Sequence, residues 1–560
     1  MKKKRIIVIG GSAAGPKAAS RARRLDENAE ITIIQKAPDL SMASCGYPYY
    51  VAGVFDDRNQ LLATPAGLVR DANFFWDAKR IKALVNTEVT KIDRDNKNVE
   101  YKNLFTGETA SLPYDKLIIA TGATPFKPPV PGVDLKGVTT LQSMADADYL
   151  REAGDEGEVK NAVVIGGGLI GIETCEALVL SGIKVTLVEL LPQVLTFLDK
   201  GMARIVEKYL KTKADVILNN GVAEFIGENG KLKAVKLQDG TTIPCEIAVI
   251  ATGVRPNSKL AKEAGLKIGE FGAIEVNSYM QTSDPDIYAI GDCIEVPNLI
   301  SGKKVYAPLG DLANLQGRVA GDNVIKGNSA QFPGVIQSGI CKVFDYGVGS
   351  TGLSEQNAPI HGFNNIETVV NTSPDKPGFM GAKLLITKLV VDKTDNRILG
   401  AQVLGPGDVS KQIATWAMAI KGKFTVEDMV NADLPYAPPY SLAIDHSIAT
   451  AHIMQNKLNG LFKGISAEQL RNKLDNHTPL FLLDVRNQGE FEMINLGLGE
   501  KHIPLEQLRD RLTELPADKN AEIIVWCKIS LRGYEAARVL MANGYTNVKV
   551  LEGGINAWPF

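Results

Sequence analysis

Two glycine turns, each set between an apolar strand and an apolar helix start, constrain this chain more than any other feature. Arg5-Ile-Ile-Val-Ile-Gly-Gly-Ser-Ala-Ala-Gly15 and Asn161-Ala-Val-Val-Ile-Gly-Gly-Gly-Leu-Ile-Gly171 follow one plan, and second strands come after them, Glu30-Ile-Thr-Ile-Ile-Gln35 and Lys184-Val-Thr-Leu-Val-Glu189. A strand that runs through glycine directly into a helix leaves free amides and the positive end of the helix dipole at one sheet edge, where a diphosphate binds. One such turn is weak evidence, because glycine turns are common. Two, each opening a β-α-β unit, predict two dinucleotide sites. Lys116-Leu-Ile-Ile-Ala-Thr-Gly122 and Ile247-Ala-Val-Ile-Ala-Thr-Gly253 form a second repeated pair, read as strands where the chain crosses back over a dinucleotide. Asp286-Ile-Tyr-Ala-Ile-Gly-Asp292 predicts a strand delivering Asp292 at its end, and Pro308-Leu-Gly-Asp311 a helix start whose amides face a ring carbonyl or phosphate.

At 560 residues, with 45 % hydrophobic and 22 % charged residues, the chain has length for several cores and the composition of globular protein. A formal net charge of −2 argues against nucleic acid as a partner, since phosphate backbones are bound by clustered cationic faces. The basic start Met1 to Arg5 is followed by an apolar run ending at Gly10, too short for a signal peptide, and reads as the edge of the first strand. No run approaches the roughly 18 apolar residues of a spanning helix, so no membrane is expected and the expected location is the cytoplasm. Six cysteines, at 45, 175, 245, 293, 341 and 527, are scattered without CxxC pairs or zinc spacing, so no disulfide scaffold and no metal site is expected.

The repeats divide the chain into 1–149, 150–275 and 276–329. From 330 to 455 long strands such as Lys383 to Asp392, a helical stretch and the Pro-rich Leu434-Pro-Tyr-Ala-Pro-Pro-Tyr440 indicate an α+β domain. Residues 456–465, with Gly460 and Gly464, read as a linker, because Ser466-Ala-Glu-Gln469 offers a capping box that opens a last, small α/β domain over 466–560.

The order of these motifs resembles the pyridine-nucleotide disulfide oxidoreductase family over residues 1 to about 455. Within it, Ser41-Met-Ala-Ser-Cys-Gly-Tyr-Pro-Tyr49 resembles the single-cysteine active site of coenzyme A-disulfide reductases and NADH oxidases. Residues 466–560 resemble a rhodanese domain through Leu482-Leu-Asp-Val-Arg486, Cys527-Lys-Ile-Ser-Leu-Arg-Gly-Tyr534 and Leu551-Glu-Gly-Gly-Ile-Asn-Ala-Trp558. The combination is similar to coenzyme A-disulfide reductase–rhodanese fusions, NADH-dependent persulfide reductases among them. The resemblance implies an α/β protein with two Rossmann-like dinucleotide-binding domains, for FAD (1–149 and 276–329) and NAD (150–275), an α+β dimerisation domain and a C-terminal α/β rhodanese-like domain.

For FAD, order and resemblance imply Gly10, Ser12, Ala14, Gly15, Gln35, Lys36, Val89, Thr121, Gly122, Asp292, Pro308 and Leu309, with Ser12 where glycine is usual and Gln35 where an acid is usual. For NADH they imply Gly166, Gly168, Gly171, Glu189 and Gly253. A carboxylate at Glu189 accepts hydrogen bonds from ribose hydroxyls and repels a 2′-phosphate, so NADH is expected over NADPH. Position 50, where two-cysteine relatives carry their second cysteine, is Tyr50, so Cys45 cycles alone as a mixed disulfide, a persulfide or a sulfenic acid. Peroxidase relatives carry a histidine where Ala13 stands, which weakens the sulfenic acid reading. Tyr436 and Tyr440 lie in a segment that in the family reaches the partner subunit's active site, implying a homodimer in which Tyr436 hydrogen-bonds or protonates the sulfur leaving Cys45. Gly378-Phe379 replace a usual Tyr-Tyr pair, and His446 and His452 have no visible partner for acid-base work. Arg21, Arg24, Ser41 and Ser44 match positions lining the coenzyme A channel. Cys527 opens a six-residue loop that ends at Arg532 just before a helix, a length suited to sulfur rather than phosphate. There the helix dipole, Lys528 and Arg532 favour an anionic persulfide, while Asp484 and Arg486 brace the loop. Cys175, Cys245, Cys293 and Cys341 read as structural.

The function expected is NADH-dependent reduction of coenzyme A persulfide, polysulfide or coenzyme A disulfide through FAD and Cys45, with Cys527 handling sulfane sulfur. The alternatives are an NADH oxidase or peroxidase working through a Cys45 sulfenic acid, and a thiol redox sensor in which the rhodanese domain docks a partner.

Overall fold

The computed structural model describes residues 3–155 and 157–560; Met1 and Lys2, which begin the basic run, lie outside the described residues. The chain forms two compact units, Met1–Pro192 with Ala214–Val335, and Gln193–Lys213 with Ile336–Phe560.

The first unit is built on two five-stranded parallel sheets. In one, β1 (Arg5–Ile9), β2 (Glu30–Ile34), β3 (Ile81–Leu84) and β4 (Lys116–Ile119) join the later strand Ile287–Ala289, in the order Ile287–Ala289, β4, β1, β2, β3. In the other, β5 (Val138–Thr139), β6 (Asn161–Ile165), β7 (Lys184–Val188), β8 (Asp215–Ile217) and β9 (Ile247–Ile250) take the order β8, β7, β6, β9, β5. Ile6 to Ile9 and Ala162 to Ile165 are buried without alternation, as strands covered on both faces require.

The two modules share one steric device. A Cβ at Gly10, whose φ is +110°, would stand 2.0 Å from the Ala120 carbonyl oxygen, and one at Gly15 would stand 2.0 Å from that of Gly10. In the second module a Cβ at Gly166, φ +108°, would stand 2.3 Å from the Ala251 oxygen, and one at Gly171 1.9 Å from that of Gly166. Only glycine fits, so α1 (Ala14–Leu25) and α2 (Leu169–Leu180) leave their strands at once. A third helix, α3 (Gly310–Lys326), packs on α1 because Gly317 and Gly321 admit the Ala14 and Ala18 carbonyl oxygens at 2.6 and 2.7 Å from where a Cβ would be. This close packing sets the start of α3 beside the first glycine turn.

The second unit holds an antiparallel sheet of β10 (Gly339–Val343), β11 (Tyr346–Gly352), β12 (Ile366–Pro374), β13 (Leu384–Asp392) and β14 (Ile398–Gly405), with β12 at an edge. Helices α4 (Val409–Lys421) and α5 (His446–Leu458) pack on it. A parallel sheet follows, β15 (Gly464–Ile465), β16 (Phe481–Asp484), β17 (Lys501–His502), β18 (Ile523–Trp526) and β19 (Val548–Leu551), in the order β15, β19, β18, β16, β17. The capping box expected at Ser466 is present and opens α6 (Ala467–Asp475).

Residues 193–213 cluster with the second unit, although the helix they carry, Lys200–Leu210, connects the paired parallel strands β7 and β8 of the second dinucleotide sheet. The buried Asp199 carboxylate there accepts from the amides of Glu355 and Gln356 at 3.1 Å and from Gln402 Nε2 at 2.7 Å, and lies 3.1 Å from Lys388 Nζ. The linker expected over 456–465 is shorter, because α5 continues to Leu458 and Gly464–Ile465 is already a strand paired with β19. The last sheet is fastened rather than tethered. Lys457 Nζ lies 2.7 Å from Glu552 Oε1 and 3.0 Å from Glu367 Oε1, and Glu552 Oε2 accepts from the Val370 amide of edge strand β12 at 2.9 Å. A buried carboxylate thus satisfies an amide that an edge strand leaves unpaired. Among the described residues, no helix is long and apolar enough to cross a membrane.

Candidate active site

Both glycine cradles open onto free space at the ends of their strands. A Cβ built on Gly122, Gly168 or Gly253 meets nothing within 4 Å, so a dinucleotide could lie against backbone there. In the first module Gln35 Oε1 accepts from the Gly11 amide at 2.8 Å, which explains how an uncharged residue serves where an acid is usual. In the second, Glu189 does the same with both oxygens, accepting from Gly167 N at 2.6 Å and Leu191 N at 2.8 Å. Glu189 is therefore part of the glycine loop, with lone pairs left for a ribose. Ser12 is half-buried in the first turn, and Ala14 is the first residue of α1. Thr121 Oγ1 donates to the Asn257 carbonyl at 2.7 Å, Val89 packs on the core, and exposed Lys36 pairs with Glu88 at 2.9 Å. Pro308 and Leu309 lead into α3, Leu309 as its N-cap. Asp292 is half-buried, and burial pushes its carboxyl up. The residues present fit two dinucleotides.

Cys45 lies in a short 3₁₀ turn, Ser44–Gly46, just before the helix Tyr47–Val51. It is exposed, and a Cβ on Gly310, the first residue of α3, would stand 3.6 Å from its Sγ. Although its surface is open, the protein around the thiol pushes its pKa up, and the carboxylates of Glu173, Asp292 and Asp311 push it further. Against these, a hydrogen bond from the Cys45 backbone amide favours the anion. Of the expected carrier residues, Arg21 is engaged in a bidentate pair with Asp322, at 3.0 and 2.8 Å. Arg24 and Ser44 are exposed, and Ser41 is held at φ 52° with its amide bonded to the Gly11 carbonyl at 2.7 Å. Cys175, Cys245, Cys293 and Cys341 are buried, and burial pushes Cys175 and Cys245 up to about 12.

In the second unit Tyr436 and Tyr440 present exposed rings, and so does Phe379. Their segment is pinned by Asp445, which accepts from Ser441 Oγ at 2.8 Å and lies 2.7 Å from Lys411 Nζ. His446 does have partners, contrary to the reading of the sequence. Its Nδ1 is 2.6 Å from Ser373 Oγ and its Nε2 2.6 Å from Thr387 Oγ1, on two neighbouring strands. Burial lowers it to about 4, so it sits as a neutral ring between two hydroxyls.

Cys527 follows β18 and is fully buried. Its loop is shorter than expected: Ser530 takes φ 85° as the N-cap, so α8 (Leu531–Ala542) begins before Arg532, which lies in the first helical turn. The glycine pair of the last motif closes under the loop, where a Cβ on Gly554 would stand 2.5 Å from the Cys527 carbonyl oxygen. The amides of Ile555 and Asn556 donate to the Cys527 and Lys528 carbonyls at 3.0 and 3.3 Å. Those carbonyls are thus engaged, and α8 starts four residues after the sulfur. Asp484 and Arg486 form a buried pair at 2.6 Å; Trp526 Nε1 donates to Asp484 at 3.1 Å, and Arg486 donates to the Glu490 and Ile494 carbonyls at 3.0 and 2.7 Å. Glu490, which the sequence reading missed, binds Arg532 through both oxygens, at 2.6 and 2.8 Å. The signal for it was present, since Asn487 and Glu490 have capping-box spacing and cap α7 (Gln488–Met493). Nothing in the sequence marked Glu173 or Asp311 as neighbours of Cys45.

Three family models match this chain: pyridine nucleotide-disulphide oxidoreductase over residues 4–303, its dimerisation domain over 339–448, and rhodanese-like domain over 466–559. The chain is 37% identical over 444 residues to an NADH oxidase of Methanocaldococcus jannaschii, covering 78% of this chain and 96% of that protein. It is 36% identical to an NAD(P)H coenzyme A polysulfide/persulfide reductase of Pyrococcus horikoshii, covering 81% and 99%. The solved structure of a NAD-dependent persulfide reductase from A. fulgidus superposes with a TM-score of 0.94 at 43% identity, over 99% of this chain and 100% of that one. The expected fold and the expected FAD and nicotinamide cofactors agree with these matches. The chain belongs to the pyridine nucleotide-disulphide oxidoreductase family and ends in a rhodanese-like domain.

Proposed function

We propose that the protein is an NADH-dependent reductase of sulfane sulfur carried on coenzyme A, as a persulfide or polysulfide, with coenzyme A disulfide as a second substrate. The observation that carries this reading is the pairing in one chain of a single exposed cysteine beside two dinucleotide cradles with a buried cysteine at a helix start in a rhodanese-like domain. FAD bound in the first cradle would supply an electron pair, taken as hydride from NADH, to sulfur held on Cys45.

The chain's own residues do the rest. Cys45 attacks the outer sulfur of the carrier persulfide, the S–S bond breaks, and the carrier thiolate leaves while Cys45 keeps the persulfide. An electron pair delivered to that persulfide releases HS⁻ and returns Cys45 as thiolate. The Cys45 backbone amide favours the anion, Gly310 at the start of α3 lies against it, and Glu173, Asp292 and Asp311 favour its reprotonation. Gly166, Gly168, Gly171 and Glu189 would hold the nicotinamide dinucleotide, and Gly10, Gly15, Gln35 and Gly122 the flavin dinucleotide. Arg24, Ser41 and Ser44 remain available to a phosphate-bearing carrier, whereas Arg21 must first leave Asp322. The absence of a histidine at Ala13 weighs against peroxide chemistry, although relatives are named NADH oxidases. The six cysteines, all free, suit the reducing conditions of the cytoplasm. Anaerobic turnover with coenzyme A and glutathione persulfides and disulfides tests the reading. One sulfide released per NADH from coenzyme A persulfide is expected, and NADH consumption only with oxygen or peroxide would refute it.

The position of Glu189 predicts the nucleotide. Replacing Glu189 by Ala should lower the NADH over NADPH ratio of kcat/KM by roughly ten-fold or more, because a fixed carboxylate facing a 2′-phosphate costs several kcal/mol. Equal use of both nucleotides by the unchanged protein would contradict this. The reading also takes the protein as a homodimer through residues 330–455, with Tyr436 of one protomer serving the Cys45 site of its partner. Sedimentation should give a dimer, and Tyr436→Phe should slow reduction roughly ten-fold with flavin content unchanged, the loss of one hydrogen bond at the reacting sulfur. A fully active monomer would exclude it.

A further inference from the structure

The guanidinium beside Cys527 is already taken. Arg532 donates from Nη1 to Glu490 Oε2 at 2.6 Å and from Nη2 to Glu490 Oε1 at 2.8 Å, a fork-to-fork pair. Hydrogen bonding to the other partner is the main cause of each group's shift, Arg532 upward and Glu490 downward, so both stay charged and their charges cancel. Cys527 is a lesser partner of the same guanidinium. Glu490 is itself fixed. Its amide donates to Asn487 Oδ1 at 2.9 Å, its Oε2 accepts from Asn487 N at 3.2 Å, and Arg486 donates to its carbonyl at 3.0 Å. Leu531 at the start of α8, and Met493 and Ile494 at the end of the Glu490 helix, are 61, 86 and 59% exposed, apolar surface on the two helices that carry the Arg532–Glu490 pair. Lys528 is exposed and adds one positive charge.

A donor dianion such as thiosulfate must exchange its hydration for protein cations with free donors when it enters such a site. Here the forked cation is neutralised by its own carboxylate. A persulfide is at most a monoanion, and the two charges of an inorganic polysulfide sit on soft sulfur that accepts hydrogen bonds weakly, so both need fewer forked donors than an oxyanion does. We propose that Glu490 is a specificity-determining residue, which by holding Arg532 in a neutral pair excludes thiosulfate-type oxyanion donors and reserves Cys527 for sulfane sulfur on a thiol or a sulfur chain. In the step so reserved, the Cys527 thiolate attacks the outer sulfur of R–S–SH, the S–S bond breaks, R–S⁻ leaves with the bonding pair, and Cys527 keeps the persulfide; no net electrons are required. The inference rests on the reading of Cys527 as a sulfur acceptor.

The test measures sulfur transfer to cyanide by the full chain, from thiosulfate and from inorganic polysulfide. The unchanged protein is expected to favour polysulfide strongly. Glu490→Gln keeps the helix cap and the side-chain volume but removes the charge, and should raise the thiosulfate to polysulfide ratio of kcat/KM by roughly ten- to a hundred-fold, the worth of freeing a charge-assisted hydrogen bond. Sulfate, an oxyanion that accepts no sulfur, should then inhibit polysulfide transfer competitively in the variant and not in the unchanged protein. An unchanged ratio in a folded variant overturns the proposal, and so, without any variant, does competitive inhibition of the unchanged protein by sulfate. Failure of the unchanged protein to transfer sulfur from any donor overturns the reading of Cys527 itself.

Discussion

Cys45→Ser is expected to lower NADH-driven reduction of coenzyme A persulfide, polysulfide and coenzyme A disulfide together, by more than about a thousand-fold, with flavin content and folding unchanged. The breadth of the loss follows from position 50. Because Tyr50 stands where a second cysteine would resolve the first, no local dithiol can carry electrons past a missing Cys45. A serine hydroxyl stays protonated and forms no S–S bond, so neither mixed disulfide nor persulfide can form. Cys45 is exposed in a short turn and contributes little packing, which makes the substitution a test of chemistry rather than stability. Anaerobic NADH oxidation with each substrate measures it. Retention of activity on any one of them would mean that substrate is reduced elsewhere.

The second large effect should divide substrates instead of abolishing them. Cys527→Ser is expected to cut sulfide release from polysulfide and other donors that need transfer by about a hundred-fold or more, while reduction of coenzyme A disulfide stays close to normal. Cys527 is fully buried at the floor of a loop whose carbonyls are held by Ile555 and Asn556, so a serine fits the same space without disturbing the fold. What disappears is the polarisable, nucleophilic sulfur. Sulfide and NADH measured together across the donor panel give the result. Equal loss on every donor, or none on any, would make the domain a structural or docking module. The domain cannot be regarded as loosely tethered, since Lys457, Glu552, Glu367 and the Val370 amide join its sheet to the neighbouring one. Cutting the chain between 459 and 463 should therefore leave the pieces associated, and mixing separately made halves would test a broken interface rather than a diluted sulfur.

Much of the site was legible before any tertiary structure because the chemistry is carried by local geometry. Although Ala120 and Ala251 close the two glycine turns from afar, Gly15 and Gly171 are required by the carbonyls of Gly10 and Gly166 five positions earlier, and Gly10 and Gly166 by their own positive φ, so these demands leave their mark in a few residues. The same holds for Cys45 in its 3₁₀ turn, for Cys527 at its helix start and for the Ser466 capping box. Glu490 was missed although its spacing from Asn487 was readable, since that spacing explains a helix cap and says nothing of Arg532, 42 positions away. His446 was read as lacking partners because Ser373 and Thr387, 73 and 59 positions distant, meet it only once two strands pair.

The two dinucleotide modules, their order, the solitary exposed cysteine and the closing rhodanese-like domain were all readable from the sequence, for their motifs rest on steric demands and residue chemistry held mostly within short stretches. Tertiary structure alone decided the electrostatics and the boundaries. It brought Glu173 and Asp311 to bear on Cys45, engaged Arg21 with Asp322, joined residues 193–213 to the second unit through Asp199, and fastened the last domain through Glu552. Such pairings join groups from distant parts of the chain, and no local pattern encodes them, because a charge acts through space on whatever the fold brings near.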